Sequence, residues 1–184
     1  MNRFKISIAA LGLLAIAAGQ AQAADAGDPA TPSYSDMGFY LRGDIGWSFL
    51  EWSGDDDSAL TVGGGIGYQI NEQIRTDLRV DWAGTYNVAP GAEMNVSSVL
   101  GNLYFDIPTE TMITPYLGAG LGYGWGSVNG GSDKNGMAFA LMAGASVSLT
   151  DSIDLDVGYR YRQIMSSGND PMEHQITTGL RFKF

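Results

Sequence analysis

The stretch HQITTGLRFKF, from His174 to Phe184, alternates between two kinds of side chain up to its last residue. Successive side chains of a β-strand point to opposite faces, so this stretch predicts a strand with one apolar and one polar face. The apolar face holds His174, Ile176, Thr178, Leu180, Phe182 and Phe184, and the polar face holds Gln175, Thr177, Gly179, Arg181 and Lys183. Such a strand suits the wall of a barrel or the edge of an ordinary soluble sheet, and one strand does not decide between them.

Seven further stretches show the same alternation, at residues 39–49, 60–70, 74–82, 96–106, 115–125, 137–149 and 153–162. Each has about the length that a tilted strand needs to cross a bilayer. Gaps rich in Gly, Asp, Asn and Ser, around Gly54, Pro90, Gly130 and Gly168, alternate with shorter ones at 71–73, 107–112 and 150–152. Long outer loops and short periplasmic turns are typical of outer-membrane barrels. The sequence therefore predicts an all-β fold, an eight-stranded antiparallel transmembrane β-barrel.

The amino terminus has the pattern of a cleavable signal peptide over residues 1–23. Arg3 and Lys5 precede an apolar run over 6–18, and Ala21-Gln22-Ala23 forms an A-x-A cleavage site. A membrane-anchor helix is the alternative, but the apolar run is too short for one. We therefore predict a signal peptide at 1–23, a polar periplasmic lead-in at 24–36 and a barrel domain at 37–184.

Composition narrows the classes of function. The chain has no cysteine and a formal net charge of −10. Without cysteine there is no disulfide framework, thiol nucleophile or cysteine-based metal site. An acidic chain is poorly suited to bind nucleic acid, because binding to phosphate requires a positive surface. We expect no cofactor and no nucleic-acid partner.

Aromatic residues lie near both ends of the apolar face, as in the two interfacial girdles of a membrane barrel. A soluble lipocalin-like barrel, whose polar face meets water, is the alternative. The girdle predicted toward the long gaps consists of Trp47, Phe49, Trp82, Tyr123, Trp125, Tyr159 and Tyr161. The girdle predicted toward the short gaps consists of Phe39, Tyr68, Phe105, Phe182 and Phe184.

The polar face carries a nearly balanced set of charges, which indicates a closed interior, because buried charges must be paired. The predicted network has seven cations and six anions: Arg42, Arg75, Arg79, Arg160, Arg162, Arg181 and Lys183 with Asp44, Asp77, Asp81, Asp106, Asp154 and Asp156. The glycines and alanines of the second, fifth and sixth strands leave volume for the long arginines. Since an eight-stranded barrel is narrow enough for side chains to fill it, we expect a largely plugged lumen.

Several segments resemble the small outer-membrane β-barrel family, which includes OmpA-like transmembrane domains, opacity-type surface proteins and alphaproteobacterial porin-family proteins. They are the signal peptide, YLRGDIGWSF (40–49), SVLGNLYFDI (98–107), TPYLGAGLGYGW (114–125) and GLRFKF (179–184). The resemblance covers nearly all of the mature chain, and the fourth segment is the most specific. It implies a place in the bacterial outer membrane among its lipids and lipopolysaccharide. It also implies that the barrel assembly machinery reads the last strand, with Phe184 as the signal, and that the protein has a surface, stability or adhesion role.

Candidate catalytic groups are few. The Gly118–Gly122 run lacks the spacing of a phosphate loop, so we expect no nucleotide site there. Asp55-Asp56-Asp57 lacks the spacing of an EF-hand and is predicted to be a solvated loop tip, with binding of a divalent cation as the alternative. Acidic residues of the outer loops, in which we include Glu173, are expected to form an acidic crown. His174, the single histidine, lies near Ser166, Ser167 and Glu173 in sequence, but nothing in the spacing makes them converge as a catalytic triad.

Three functions remain open. The leading hypothesis is a non-enzymatic surface barrel that supports envelope integrity or binds an unknown partner through four outer loops. The alternative is a small porin that passes small solutes. A lipid-A-modifying barrel enzyme is the third.

Overall fold

The computed structural model describes residues 37–52, 55–89, 92–128, 134–165 and 172–184. The predicted signal peptide and lead-in lie outside these residues. The described chain forms eight strands: β1 Gly38–Trp52, β2 Asp55–Gln69, β3 Ile74–Ala89, β4 Ala92–Asp106, β5 Ile113–Val128, β6 Lys134–Thr150, β7 Ile153–Met165 and β8 Met172–Lys183.

Every strand pairs antiparallel with its neighbour in sequence, and β8 pairs with β1 to close the barrel. The closing register places Phe49 opposite His174 and Leu41 opposite Phe182. The predicted eight-stranded antiparallel barrel is thereby confirmed. Within the described ranges, no helix is long and apolar enough to cross a membrane.

The strands extend further than predicted at one end of the barrel. Connections 53–54, 90–91, 129–133 and 166–171 lie at this end, which we call the loop end. Connections 70–73, 107–112 and 151–152 lie at the opposite, turn end. The β1–β2 ladder continues to the pair Trp52–Asp55, so two of the predicted long loops are extended hairpins. The apolar alternation stops earlier, because backbone pairing does not require an apolar face.

The apolar face of each strand points away from the barrel axis. Leu121 is 64% exposed, Leu78 56% and Leu41 50%, whereas the arginines of the opposite face are buried. This arrangement excludes the soluble lipocalin-like alternative, in which the polar face would meet water outside. An apolar outer surface requires an apolar solvent, namely the hydrocarbon core of a bilayer.

Candidate functional site

The barrel interior contains most of the charged side chains of the described chain. All thirteen charged residues predicted for the lumen point inward, and each forms at least one ion pair. Twelve have nearly fully buried side chains, and Lys183, near the turn end, is 29% exposed. Seven cations and six anions would leave one excess positive charge, which raises the question of a missing anion.

The missing anion is Glu173, which we assigned to the acidic crown of the outer loops. That assignment is wrong, because β8 begins at Met172 and directs Glu173 into the interior with 1% exposure. Its carboxylate accepts hydrogen bonds from Tyr86 Oη at 2.8 Å and Ser48 Oγ at 3.2 Å, and from Arg162 Nε at 2.7 Å. These four residues form what we call the Glu173 clamp. Its members lie on β1, β3, β7 and β8, so the clamp spans the interior near the loop end.

A second group of ion pairs occupies the middle of the barrel. Arg42 Nη1 lies 3.1 Å from Asp77 Oδ2, and the same nitrogen donates to Tyr104 Oη at 3.1 Å. Asp77 also accepts a hydrogen bond from Asn102 at 2.6 Å. These contacts connect β1, β3 and β4 across the interior.

Two arginines share one carboxylate beside this group. Arg79 Nε donates to Asp81 Oδ1 at 2.6 Å, and Arg160 Nη1 donates to Asp81 Oδ2 at 2.9 Å. Arg79 also pairs with Asp44. A carboxylate that accepts from two guanidinium groups ties β3 to β7, and the Asp44 contact adds β1.

Aromatic rings surround the charges nearer the turn end. The guanidinium of Arg75 lies 4.2 Å from the ring centroid of Tyr104 and 4.7 Å from that of Tyr116. Its Nε donates to both oxygens of Asp106, at 2.9 and 3.0 Å. Charge–ring contacts are strongest when the cation is desolvated, and Arg75 is fully buried.

The last ion pairs lie next to the turn end. Asp154 accepts from Arg181 at 2.9 Å and from Lys183 at 3.1 Å, and Arg181 lies 3.7 Å from Asp156. Asp156 also accepts a hydrogen bond from Ser146 at 2.6 Å.

An apolar cluster fills part of the interior toward the loop end, at the level of the Glu173 clamp. We call this cluster the apolar cap; its members are Leu50, Ala59, Ala83, Tyr86, Val96, Leu100, Ala138, Ala140 and Ile164. Sequence reasoning missed it, because residues such as Leu100 and Ile164 interrupt a face that otherwise reads as polar or small. The signal was present in the strand period, which places both residues in the inward phase.

Inward glycines make room for the large interior side chains. A Cβ at Gly63 would meet Asp81 Oδ1 and Arg79 Nη2, and one at Gly120 would meet Asn102 Oδ1. A Cβ at Gly118 would meet the Tyr104 ring. The expected exchange of volume between small and large residues is therefore seen, with tyrosine and asparagine contributing as well as arginine.

The aromatic residues predicted for the two girdles lie on the outer wall. Ten are exposed by more than a third, from Tyr68 at 37% to Phe184 at 73%, and Tyr159 and Tyr161 are half-buried. They occur toward the two ends of the apolar surface. This is the distribution that suits the two interfaces of a bilayer.

The residues considered for a catalytic triad do not come together. His174 faces outward, where its Nδ1 lies 2.5 Å from Tyr159 Oη, whereas Glu173 faces the interior. Ser166 and Ser167 lie outside the described residues. Of the acidic crown, Glu51, Asp55, Asp56, Glu93, Asp133 and Asp170 likewise have no described side chains. Where side chains are described, no group of three or more His, Cys, Asp and Glu residues is arranged to hold a metal ion.

Comparison with known proteins adds an independent observation. A family model described as "Outer membrane protein beta-barrel domain" matches residues 9–184. The crystal structure of Neisserial surface protein A superimposes with a TM-score of 0.71 and 27% identity, covering 79% of this chain and 97% of that one.

Two relatives in other bacteria match most of the chain. An uncharacterized protein of Brucella abortus (strain 2308) is 29% identical over 76% of this chain and 73% of its own length. A protein of Rickettsia prowazekii (strain Madrid E), named as a candidate adhesin, is 22% identical over 80% of this chain and 88% of its own.

Proposed function

The chain belongs to the outer-membrane protein β-barrel domain family and lies in the bacterial outer membrane, and from this premise we propose that it is a non-enzymatic surface barrel. Its lumen is occluded by paired charges. It acts in envelope integrity or in surface interaction through its four outer loops, with the turn end in the periplasm and the loop end outside.

The ion-pair network is the observation that supports an occluded lumen. Seven cations and seven anions, Glu173 included, fill the interior of an eight-stranded barrel, which has room for side chains but not for a wide channel. Contacts such as Arg160–Asp81 and Arg42–Asp77 cross between strands that are not neighbours. The apolar cap closes the same interior nearer the loop end.

Planar-bilayer conductance of the refolded mature protein tests the occluded lumen. Closure of the barrel is first verified by the heat-dependent gel shift of a folded barrel. We expect no conductance steps from a verified barrel. Reproducible steps that change when Asp77 or Arg79 is substituted would contradict occlusion and support the small-porin alternative.

The surface role draws support from the relatives. The Rickettsia protein is named as a candidate adhesin, and the hairpins at the loop end extend beyond the outward apolar surface of this chain. The test replaces 129–133 or 166–171 with a Gly-Ser linker and measures attachment of bacteria that display the barrel to wells coated with host extracellular matrix.

A matched control replaces 107–112, at the turn end, with the same linker. We expect attachment to fall for the loop variants and to stay at the wild-type level for the control, at equal surface abundance. Equal attachment by all variants would contradict a role for the loops in adhesion.

The positions of His174 and Glu173 support a non-enzymatic protein. Because Glu173 is engaged by Arg162 inside the barrel, it is not available to orient the imidazole outside. The test assays the purified barrel for lipid A deacylation and acyl transfer. An activity that His174→Ala abolishes would overturn this part of the proposal.

A further inference from the structure

The two halves of the lumen differ in how much solvent-accessible space they contain. Toward the turn end, Arg42 is 9% exposed, Tyr116 6% and Arg181 5%, although all three point into the closed barrel. Toward the loop end, Ser98 and Arg162 are both 0% exposed. Because the outside of the wall faces lipid, exposure of an inward side chain means that there is room for water beside it within the barrel.

The ion pairs around Asp156, in the turn half, are longer than hydrogen bonds. Asp156 Oδ2 lies 3.8 Å from Arg42 Nη2, and Asp156 Oδ1 lies 3.7 Å from Arg181 Nη2. Within the described structure, Asp156 Oδ2 and Arg181 Nε and Nη1 are buried without a hydrogen-bond partner. Leaving a buried charged atom without a hydrogen bond is costly, and polar contacts beyond about 3.5 Å are commonly completed by a bridging water.

The hydroxyl of Tyr116 lies at the same level. A Cβ at Gly158, two residues along β7 from Asp156 on the inward face, would meet Tyr116 Oη at 2.4 Å. Tyr116 therefore brings a group that can donate and accept a hydrogen bond next to the carboxylate.

The charged side chains of the loop half contact one another directly instead. Arg162 Nε donates to Glu173 at 2.7 Å, and Arg79 Nε donates to Asp81 at 2.6 Å. Leu100 of the apolar cap, which is 0% exposed, fills space at this end of the interior. This half is therefore packed by its own side chains.

We propose that the turn half of the lumen is a vestibule that binds water and is continuous with the periplasm, and that the barrier to solutes lies in the loop half. The inference rests on the occluded lumen proposed above and assigns the occlusion to one half. Bound water bridges Asp156 to Arg42 and Arg181 and hydrogen-bonds to Tyr116. Its route from the turn end passes Lys183, whose side chain is 29% exposed.

Charge balance selects water rather than an anion as the occupant. Arg42 pairs with Asp77 at 3.1 Å, and Arg181 pairs with Asp154 at 2.9 Å. Asp156 adds a further carboxylate, so these arginines leave no surplus of positive charge to attract an anion. Water can donate to the carboxylate and accept from the guanidinium groups, which a simple anion cannot do.

The absence of cysteine from the chain allows a direct test of access. Ser146→Cys places a thiol in the vestibule, where Ser146 accepts from Arg181 at 3.2 Å, and Ser98→Cys is the matched variant in the loop half, where Ser98 accepts from Arg162. Each variant is refolded in micelles and exposed briefly to Ag⁺, a small thiol-binding ion, in chloride-free buffer. The fraction of thiol that Ag⁺ has blocked is then measured with a maleimide after denaturation.

We expect the Ser146→Cys thiol to react at least about tenfold faster than the Ser98→Cys thiol, a difference of about 1.4 kcal/mol in the barrier to access. Ag⁺ entering from the loop end would have to pass the level of Ser98 before it reached Ser146. The same result therefore identifies the turn end as the entrance.

A second pair of variants lies on one strand and guards against a folding defect in the first. Met142 and Ala140 are successive inward residues of β6, with Met142 nearer the turn end, and they are 6% and 1% exposed. We expect Met142→Cys to react faster than Ala140→Cys. All four variants are first checked for the gel shift of a folded barrel, and the cysteine-free parent measures background reaction.

The outcomes separate the vestibule from the occluded lumen. Equally slow reaction in both pairs would overturn the vestibule and leave the occlusion intact. Equally rapid reaction in both pairs, together with conductance steps in planar bilayers, would overturn both proposals. Crystals grown in bromide identify the occupant: we expect ordered water within hydrogen-bond distance of Asp156 Oδ2, and an anomalous bromide peak there would overturn the assignment to water.

Discussion

At the scale of single residues, Glu173 shows how strongly one assignment depends on where a strand begins. It follows closely after the connection 166–171, yet β8 starts one residue earlier, at Met172, and turns its carboxylate inward. There it meets Arg162, Tyr86 and Ser48, and it brings the interior to seven anions for seven cations. In the described structure, Glu173 is the one carboxylate within ion-pair distance of Arg162. The buried guanidinium of Arg162 therefore depends on Glu173 for its counter-charge.

Replacing Glu173 with Ala should destabilise the barrel. The change leaves Arg162 buried without its carboxylate, and removing one partner of a buried ion pair costs about 3–5 kcal/mol. Urea unfolding of protein refolded into lipid vesicles measures the change. Thr178→Ala, an outward substitution on the same strand, is the control and should stay within about 0.5 kcal/mol of wild type. A Glu173→Ala change as small as the control's would contradict a structural role for the clamp.

Gly63, which faces the interior, and Gly43, which faces outward, allow a comparison of how tightly the two faces are packed. Gly63→Ala introduces a Cβ against Asp81 and Arg79, so it should destabilise by about 1–3 kcal/mol through overpacking. Gly43→Ala introduces a Cβ that meets nothing within 4 Å and should have little effect. The same vesicle unfolding assay compares the free energies of unfolding of the two variants. Equal changes would show that Asp81 and Arg79 can move to accommodate the added Cβ at little cost.

At the scale of elements, the strands were predictable because their two faces meet different solvents. In β3 the sequence from Ile74 to Trp82 alternates strictly, and the structure places its apolar half outward and its charges inward. The ends were not predictable: β3 continues to Ala89 through irregular pairing with β4 between Ala83 and Tyr86. Beyond the bilayer both faces can be polar, so the period that identifies a strand disappears while its hydrogen bonds remain.

Charge tolerance along one wall should depend on depth. Leu180→Lys places an ammonium near the middle of the outward face and should cost about 2–4 kcal/mol, whereas Ile153→Lys, at the turn end, should cost about 0–1 kcal/mol. The difference arises because a lysine near the interface can extend its ammonium to water. Unfolding in vesicles of one lipid composition compares the two, and equal costs would contradict the bilayer depth assigned to β7 and β8.

The interior was predictable in its charges but not in its apolar part. Alternation placed Arg42, Asp77 and Arg79 on one face, and the balance of charges on that face identified it as the interior, where buried charges must be paired. It did not identify Leu100 or Ile164 as inward, because an apolar residue is acceptable on either face. The choice of partners was also beyond the sequence: Arg160 pairs with Asp81 on β3, and only the closed barrel brings the two together.

At the scale of the whole molecule, the network joins strands that are far apart in sequence. Arg42 on β1 reaches Asp77 on β3, Tyr104 on β4 and Asp156 on β7. The seven cations and seven anions of the network balance each other within the described interior.

Removing bulk and charge together from the middle of the barrel should open it. The double variant Arg160→Ala/Asp81→Ala keeps the charges balanced while it deletes side chains from two facing walls. We expect conductance steps in planar bilayers from this variant and none from wild type. Val99→Ala/Leu121→Ala, which changes only the outer wall, serves as the control and should be silent. If the folded double variant shows no conductance steps, the apolar cap, rather than these two side chains, would be what blocks the lumen.

The closing contact between β1 and β8 determines how the protein comes apart. Leu41 and Phe182 are paired although they lie near opposite ends of the described chain, so this seam is the contact of longest sequence separation between neighbouring strands. Contacts of such long sequence separation slow folding, and an opened seam would expose backbone groups and unpaired arginines to hydrocarbon. We therefore expect the lifetime of the barrel in the membrane to be set by the barrier to opening this seam more than by an equilibrium.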